Sequence, residues 1–507
     1  MLEILAISFF TGMVLALGSS TVLLHKKVPI TFLYIHIAII AIPPIIAMTA
    51  LFLQNQSIVF GPFQFNTLSW LLALFVLTMG LLVQRYTVRY LRGDRYYRTY
   101  FTLLTITIIT DALAWLSDDL RIMIACWGVT LLGLTLLIRL KKDWQAARNA
   151  ANTSGKMFII SMLFLSFSIL WLHKVSGEWR LSQLVMSNDF STVAEWEKAG
   201  IYLLLMIGVI IPAAQWPFQR WLLDSVVAPT PISAVMHAGI VNAGGIMLTR
   251  FAPLFSGVEG EMILLLPAVI SVLLGTGMML VQVDYKRQLV GSTIAQMGFM
   301  LIQCAFHAYL AAILHAILHG LFKATLFLQS GSALQHAKPA KGVARPLSAS
   351  WMVVGIIAGV LAGTFFWQAA PEQGYQWISS IILGWSIILA WSQLVASGFG
   401  RLGRITGLVV VAVTVGMYSL IHHNFSKLLA ATVFEGGTQP PLFAVILLLV
   451  ILFASNALAF WLTRHQSSTL FAVIYLWLVK LSEPQQTVVE SHPTYLSQLL
   501  SKGGRLR

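Results

Sequence analysis

Residues 309–334 read Tyr-Leu-Ala-Ala-Ile-Leu-His-Ala-Ile-Leu-His-Gly-Leu-Phe-Lys-Ala-Thr-Leu-Phe-Leu-Gln-Ser-Gly-Ser-Ala-Leu. This is an apolar run long enough to cross a membrane, yet it carries His315, His319 and Lys323. Each step of four residues turns an α-helix by about 40°, so the three groups share a stripe roughly 80° wide that climbs about 12 Å. Ionisable side chains are costly in hydrocarbon and tend to mark conduction paths. Imidazole can donate and accept near neutral pH, and desolvation makes an amine readier to exchange its proton, so the stripe suits a proton relay. The alternative, histidines that only hydrogen-bond neighbouring helices, suits one such residue better than three on one stripe. A metal site built from the two histidines lacks a carboxylate or cysteine at matching spacing.

The rest of the chain repeats the apolar pattern. Of 507 residues, 58% are hydrophobic and 10% charged, and the mean hydropathy is +0.82. Too little polar surface exists to cover a soluble globule, so the solvent is lipid. Apolar runs recur from Leu2 to Trp461, and they predict an all-α membrane protein of about 14–15 transmembrane helices. Residues 2–24 lack a basic leader and exceed a signal-peptide core, so they read as a retained first helix. Cys126 and Cys304 both fall in apolar segments and read as packing residues.

The net charge of +14 does not point to nucleic acid, because the cations alternate between loops. Lys26 and Lys27, residues 85–98, 139–142, Lys286 and Arg287, residues 338–345, and Arg401 and Arg404 form one set, whereas loops 53–66 and 259–261 are acidic or nearly uncharged. That is the positive-inside pattern of a cytoplasmic-membrane protein, and with an odd span count it places the C-terminus in the cytoplasm.

No Pro/Gly/Ser-rich linker divides the chain. Residues 1–464 read as one polytopic domain with its motifs between 100 and 400, and 465–507 as an interfacial helix, starting near Thr469, with a cytoplasmic tail. Loop 173–200 reads as a short capping structure. Pro212 and Pro217 interrupt residues 201–223, and Pro229-Thr230-Pro231 opens the next segment. Proline removes a donor and clashes one turn back, so the first segment reads as a broken helix of the kind transporters place at midplane sites, with a simple kink as the alternative. His237 sits in an expected helix over 231–250, where Ala238-Gly239, Ala243, Gly244 and Gly245 offer a narrow face. Asp111 is the carboxylate far from the ends of its span, and reads equally as a paired structural residue or a proton site. Asp284, Lys286 and Arg287 lie in a tight turn that capping and mutual salt bridges would explain.

Three blocks of residues are together similar to a known superfamily. One is Ala214-Gln215-Trp216-Pro217-Phe218 with Trp221-Leu222 and the run from Ala228 through Pro229, Pro231 and His237 to Gly239. The second is Gln282-Val283-Asp284-Tyr285-Lys286-Arg287 with Ser292-Thr293-Ile294-Ala295-Gln296-Met297-Gly298. The third is His315 with His319-Gly320-Leu321-Phe322-Lys323-Ala324. They resemble the signature of the antiporter-like subunits of NADH-quinone oxidoreductase chain 5 and of Mrp cation antiporters. The resemblance implies two inverted five-helix repeats with broken helices, and an ion path through His237, His315, His319 and Lys323.

The departures are informative. Respiratory pumps carry a glutamate directly after a tryptophan where this chain has Trp127-Gly128, and its lysine partner where this chain has Pro212. Losing both is coherent, since either alone would be a poorly compensated buried charge. A second broken helix normally carries another lysine; here none occurs between Lys341 and Lys427, and residues 361–367 stand roughly in its place. The chain also ends without the long lateral helix of chain 5. These features resemble the DabB (MpsA) membrane subunits of two-component inorganic carbon transporters.

That resemblance implies a transport subunit and no enzyme, with no cofactor in this chain. Its implied partners are H⁺ or Na⁺, membrane lipid and a DabA-type zinc-binding peripheral protein of carbonic-anhydrase type. Two other functions stay open: a proton-pumping or Na⁺/H⁺ antiporter subunit of a respiratory or Mrp complex, and a non-conducting anchor for a soluble partner.

Overall fold

A computed structural model describes residues 2–53, 57–186, 193–255, 259–331, 349–369, 376–391, 400–434 and 441–483. The basic loop 338–345 and the tail beyond Glu483 lie outside the described residues. The first half comprises α1 (Leu2–Leu23), α2 (Phe32–Ile40), α3 (Ile42–Leu53), α4 (Thr67–Tyr90), α5 (Tyr97–Leu116), α6 (Leu120–Arg139), α7 (Gln145–Ser176), α8 (Leu181–Met186), α9 (Glu195–Ile210) and α10 (Arg220–Asp224). The second half comprises α11 (Thr230–Ala238), α12 (Ala243–Phe255), α13 (Leu265–Val281), α14 (Tyr285–Ala305), α15 (Tyr309–Ser330), α16 (Ala349–Ala369), α17 (Gln376–Trp391), α18 (Gly400–Leu429), α19 (Leu442–Arg464) and α20 (Thr469–Ser482). Helices dominate because lipid offers no partner for a bare N–H or C=O, and a helix satisfies its own.

Among the described residues, 11 helices are long and apolar enough to span, and 353–368, 379–388 and Thr469–Ser482 form shorter apolar helices. The chain is thus an all-helical membrane protein, as its composition implies. The expected 14–15 spans include helices that length and hydropathy alone do not admit. One is α14, whose Ser292, Thr293, Gln296 and Gln303 dilute its hydropathy. Another is α9, which stops after 16 residues.

One end of the bundle is closed by a feature that the apolar runs did not signal. Residues Ile58–Phe60 (β1) and Phe63–Phe65 (β2) pair antiparallel with Ile58 opposite Phe65, turning through Gly61 at φ +59°. Phe65 anchors the hairpin against Trp70 at 4.6 Å between ring centroids. The Pro62 carbonyl accepts the N–H groups of Asp118 and Asp119 at 2.8 and 3.1 Å, and the Asp118 carboxylate accepts from Ser182 N and Oγ. Loop 173–200, where it is described, therefore does pack as a cap, through α8. Asp119 caps α6 and pairs with Arg121 at 2.7 Å, a hydrogen bond that holds its carboxyl below the usual carboxylate range. Arg250 ties the same end by donating to the Ala114 and Ser117 carbonyls that α5 leaves free.

At the 282–287 turn, Asp284 caps α14 by accepting from Arg287 N at 2.9 Å. The mutual salt bridges expected there do not form: the ion pairs among the described residues are Arg121–Asp119, Lys141–Asp94, Lys198–Glu195 and Arg220–Asp224. The carboxylate is already committed to the helix terminus.

Helices α13 and α14 meet backbone to backbone. A Cβ on Gly275 would lie 2.5 Å from Ala295 N, and one on Gly291 would lie 2.9 Å from both Gly275 O and Met279 N. Close approach over small residues supplies the packing that hydrophobicity cannot supply in lipid. Gly291→Val is expected to cost about 1–3 kcal/mol by overpacking, read as a lowered melting temperature and a smaller monodisperse fraction in detergent.

Candidate functional site

Two helix breaks frame the site. Helix α9 ends at Ile210 and the chain resumes helix at Arg220, so Pro212 and Pro217 produce a true interruption and not a kink. Ala214 sits at φ +53°, a left-handed conformation that costs a non-glycine residue about 1 kcal/mol or more. The freed polar groups find protein partners. Gln215 Nε2 donates to Ala213 O at 2.8 Å and Ile294 O at 3.3 Å, and Trp221 Nε1 donates to Ile211 O at 2.8 Å.

The second break lies within the expected single helix over 231–250. Pro229 caps α11, Pro231 occupies its first turn, and α11 ends at Ala238. A 3₁₀ turn, Ile240–Asn242, precedes α12. Asn242 Nδ2 donates to the Ala238 carbonyl at 2.7 Å and to Ala316 O of α15 at 3.2 Å, which ties α15 to the break. A Cβ on Gly320 would stand 2.5 Å from Ala238 O and 2.4 Å from Phe75 Cζ, so only glycine fits there without displacement. Residues 361–367, by contrast, lie inside uninterrupted α16. No proline interrupts that segment, and glycines alone do not break it.

The expected stripe on α15 holds together. Lys323, 1% exposed, donates from Nζ to Leu289 O at 2.9 Å. The Thr293 hydroxyl donates to the same carbonyl at 2.9 Å and lies 3.1 Å from His237 Nδ1. With the one Thr293 hydrogen directed to Leu289, His237 Nδ1 is the donor in that contact. Lys323 and His237 thus meet at two atoms of α14, Leu289 O and Thr293 Oγ1. The His237 ring stacks on Phe327 with centroids 4.3 Å apart. His315 Nδ1 lies 3.1 Å from Gln303 Oε1, and its ring centroid is 6.0 Å from that of His319. His319 reaches the backbone of His237, while its Nε2 is buried without a hydrogen-bond partner.

These groups border a cavity of about 370 Å³ lined by Ser292, Gln296, Gln303, His315, His319 and Lys323, with Tyr418 on the α18 side. That volume accommodates about ten waters at their liquid share of about 30 Å³ each. Among the described residues no aspartate or glutamate lines it. His237 stands one layer behind. The arrangement can pass a proton between imidazole, water and amine, and it offers a bare cation no carboxylate.

Asp111 is not brought to this cavity. It is buried, its Oδ1 has no hydrogen-bond partner, its carboxylate has a side-chain hydrogen bond with Trp115 one turn on, and among the described residues it forms no ion pair. It lies behind the second break, its Oδ2 3.9 Å from where a Gly239 Cβ would be. Among the described residues no three His, Cys, Asp or Glu side chains are grouped to hold a metal. The stripe reading missed Gln303, Asn242 and Tyr418. Gln303 had a signal: Ser292, Gln296 and Gln303 fall within about 40° of one another on α14.

Residues 117–406 match the family described as NADH:quinone oxidoreductase/Mrp antiporter, TM, and residues 55–101 match the NADH-ubiquinone oxidoreductase (complex I), chain 5 N-terminus. The chain is 52% identical to the probable inorganic carbon transporter subunit DabB of Bacillus subtilis (strain 168), over 98% of each chain. It is 51% identical to the protein of the same description from Bacillus anthracis, over 98% of this chain and 97% of that one. The chain belongs to the DabB family of antiporter-like membrane subunits. In fold it is similar to a chain of the Mrp complex from Dietzia sp. DQ12-45-1b, with a TM-score of 0.65 and 21% identity, covering 98% of this chain and 60% of that one.

Within this DabB-family chain, the positions of the lost respiratory ion pair are filled structurally. Gly128 faces Met162, 3.1 Å from where its Cβ would be, and Pro212 stands in the first break. Thr293→Val keeps shape but leaves His237 Nδ1 without its partner, so a loss of about 1–3 kcal/mol is expected. Thermal unfolding in detergent checks this, with Thr293→Ser retaining wild-type stability.

Proposed function

We propose that this chain is the membrane subunit of an energy-coupled inorganic carbon transporter, conducting H⁺ inward along His237, His319, His315 and Lys323 to drive CO₂ or bicarbonate accumulation. The observation that carries the reading is the cavity beside α15. It gathers two imidazoles, an amine and neutral hydrogen-bonding groups around one partly open pocket with no carboxylate among its described lining residues, on a chain half identical to proteins described as inorganic carbon transporter subunits. The lining gathers groups that themselves carry protons, two imidazoles and an amine, and the Lys323 amine stands where a bare cation would be repelled, so it favours H⁺ over Na⁺ as the coupling ion. The conversion of CO₂ to bicarbonate falls to a DabA-type peripheral partner. That chemistry needs a metal-activated water, and the His and Cys spacing of this chain offers no zinc ligand set.

A passive anchor could carry leucine in place of half-buried His315 and buried His319 and Lys323 and would gain stability by it, which argues for conduction. Lys323→Met is expected to abolish growth in air of cells that depend on this system. Growth at elevated CO₂ and the amount of assembled complex in the membrane should stay unchanged. Normal growth in air would overturn the assignment. A protonophore is expected to stop carbon uptake while a sodium gradient persists; uptake that follows sodium instead would transfer the coupling to Na⁺.

A further inference from the structure

The cavity has a second wall. Tyr418 lines it from α18, opposite the α15 stripe. One turn further His422 is buried, at 4% exposure, and after another turn so is Ser426. Residues 418, 422 and 426 recur at intervals of four, so they form a stripe about 12 Å long, the same construction as the α15 stripe. Elsewhere the helix turns apolar side chains outward, with Met417 and Leu420 exposed, as lipid requires. The ring centroids of Tyr418 and His422 are 6.1 Å apart. Phe366 of α16 covers both, at 5.7 Å from Tyr418 and 5.0 Å from His422. The neighbouring titratable group on the helix is His423, which is exposed. No lysine occurs from 342 to 426, and one turn from the cavity-lining Tyr418 the buried proton-carrying group is the His422 imidazole.

We infer that Tyr418 and His422 are the second half of the proton path, carrying protons between the cavity and the Lys427 end of α18. The inference rests on the proton-conducting reading. A proton given up by the Lys323 ammonium to cavity water reaches the Tyr418 hydroxyl, which accepts it on oxygen while releasing its own hydrogen toward His422. The imidazole takes that proton on one ring nitrogen and loses one from the other, and Lys323 is reloaded from the His237 side. Rotation of the Tyr418 hydroxyl and a tautomer or ring reorientation of His422 then restore the starting state, and the net event is one proton moved. An imidazole can act in this way because its two nitrogens exchange donor and acceptor roles.

The test is proton uptake into liposomes containing the complete complex, followed by an internal pH dye. His422→Ala is expected to slow uptake by about tenfold or more, the loss of one proton-transferring group, with added imidazole or the His422→Lys change restoring much of it. Tyr418→Phe, which keeps the packing against Phe366, should slow uptake several-fold. A purely structural His422 would give a loss that neither imidazole nor lysine repairs, and that result overturns the inference. So does unchanged uptake in His422→Ala while Lys323→Met is inactive, an outcome that leaves the proton-conducting reading standing. Unchanged uptake in both variants defeats that reading itself. If His422→Ala does not assemble, His422→Asn and Tyr418→Phe decide, and wild-type uptake in both overturns the proposal.

Discussion

The structure depends on the rule that a polar backbone group inside lipid must find a partner within the protein. Every interruption that makes the site possible obeys it. At the first break Gln215 and Trp221 take up freed carbonyls. At the second, Asn242 does so for Ala238 while also holding α15. The Leu289 carbonyl carries the rule into the site, because it accepts Lys323 Nζ in addition to the Thr293 hydroxyl. Side chains that look decorative in a membrane helix are therefore the ones that let the helices stop, turn and enclose a polar space. They explain why a chain of such low charge still places four ionisable groups close together.

Much of this was legible in residue order. The spacing of His315, His319 and Lys323 fixed one face of a helix by arithmetic alone, and Pro212 with Pro217 marked the first break because proline acts locally. The second break was hidden. Gly239 and Asn242 are ordinary in a membrane helix, and only the contacts of Asn242 with Ala316 and of the Ala238 carbonyl with Gly320 on α15 reveal an interruption. The fate of Asp111 was equally a tertiary matter, since sequence cannot say whether a cation stands opposite. The hairpin at 58–65 escaped for another reason: two strands of three residues produce no periodicity against a background this apolar. Tyr418 and His422 share the fourfold spacing of the α15 stripe, but a stripe of tyrosine, histidine and serine is a weaker signal than one ending in lysine.

The departures from the respiratory pattern acquire a physical sense in the fold. Gly128 faces the flexible end of Met162 and Pro212 lies within the turn between α9 and α10. The retained polar groups all gather between α11, α14, α15 and α18.

The glycine contact between α13 and α14 has a mechanical consequence. With backbone resting on backbone at Gly275 and Gly291, neither helix can slide or rotate by itself. Gln282 at the end of α13 is further latched to Ser482 of α20. The pocket therefore resembles a vise with one fixed jaw, carrying Ser292, Thr293, Gln296 and Gln303. Its opposite wall is α18, which turns most of its apolar side chains outward and presents Tyr418 to the pocket. The two walls therefore differ in kind: one is set by backbone contact between helices, the other by side chains.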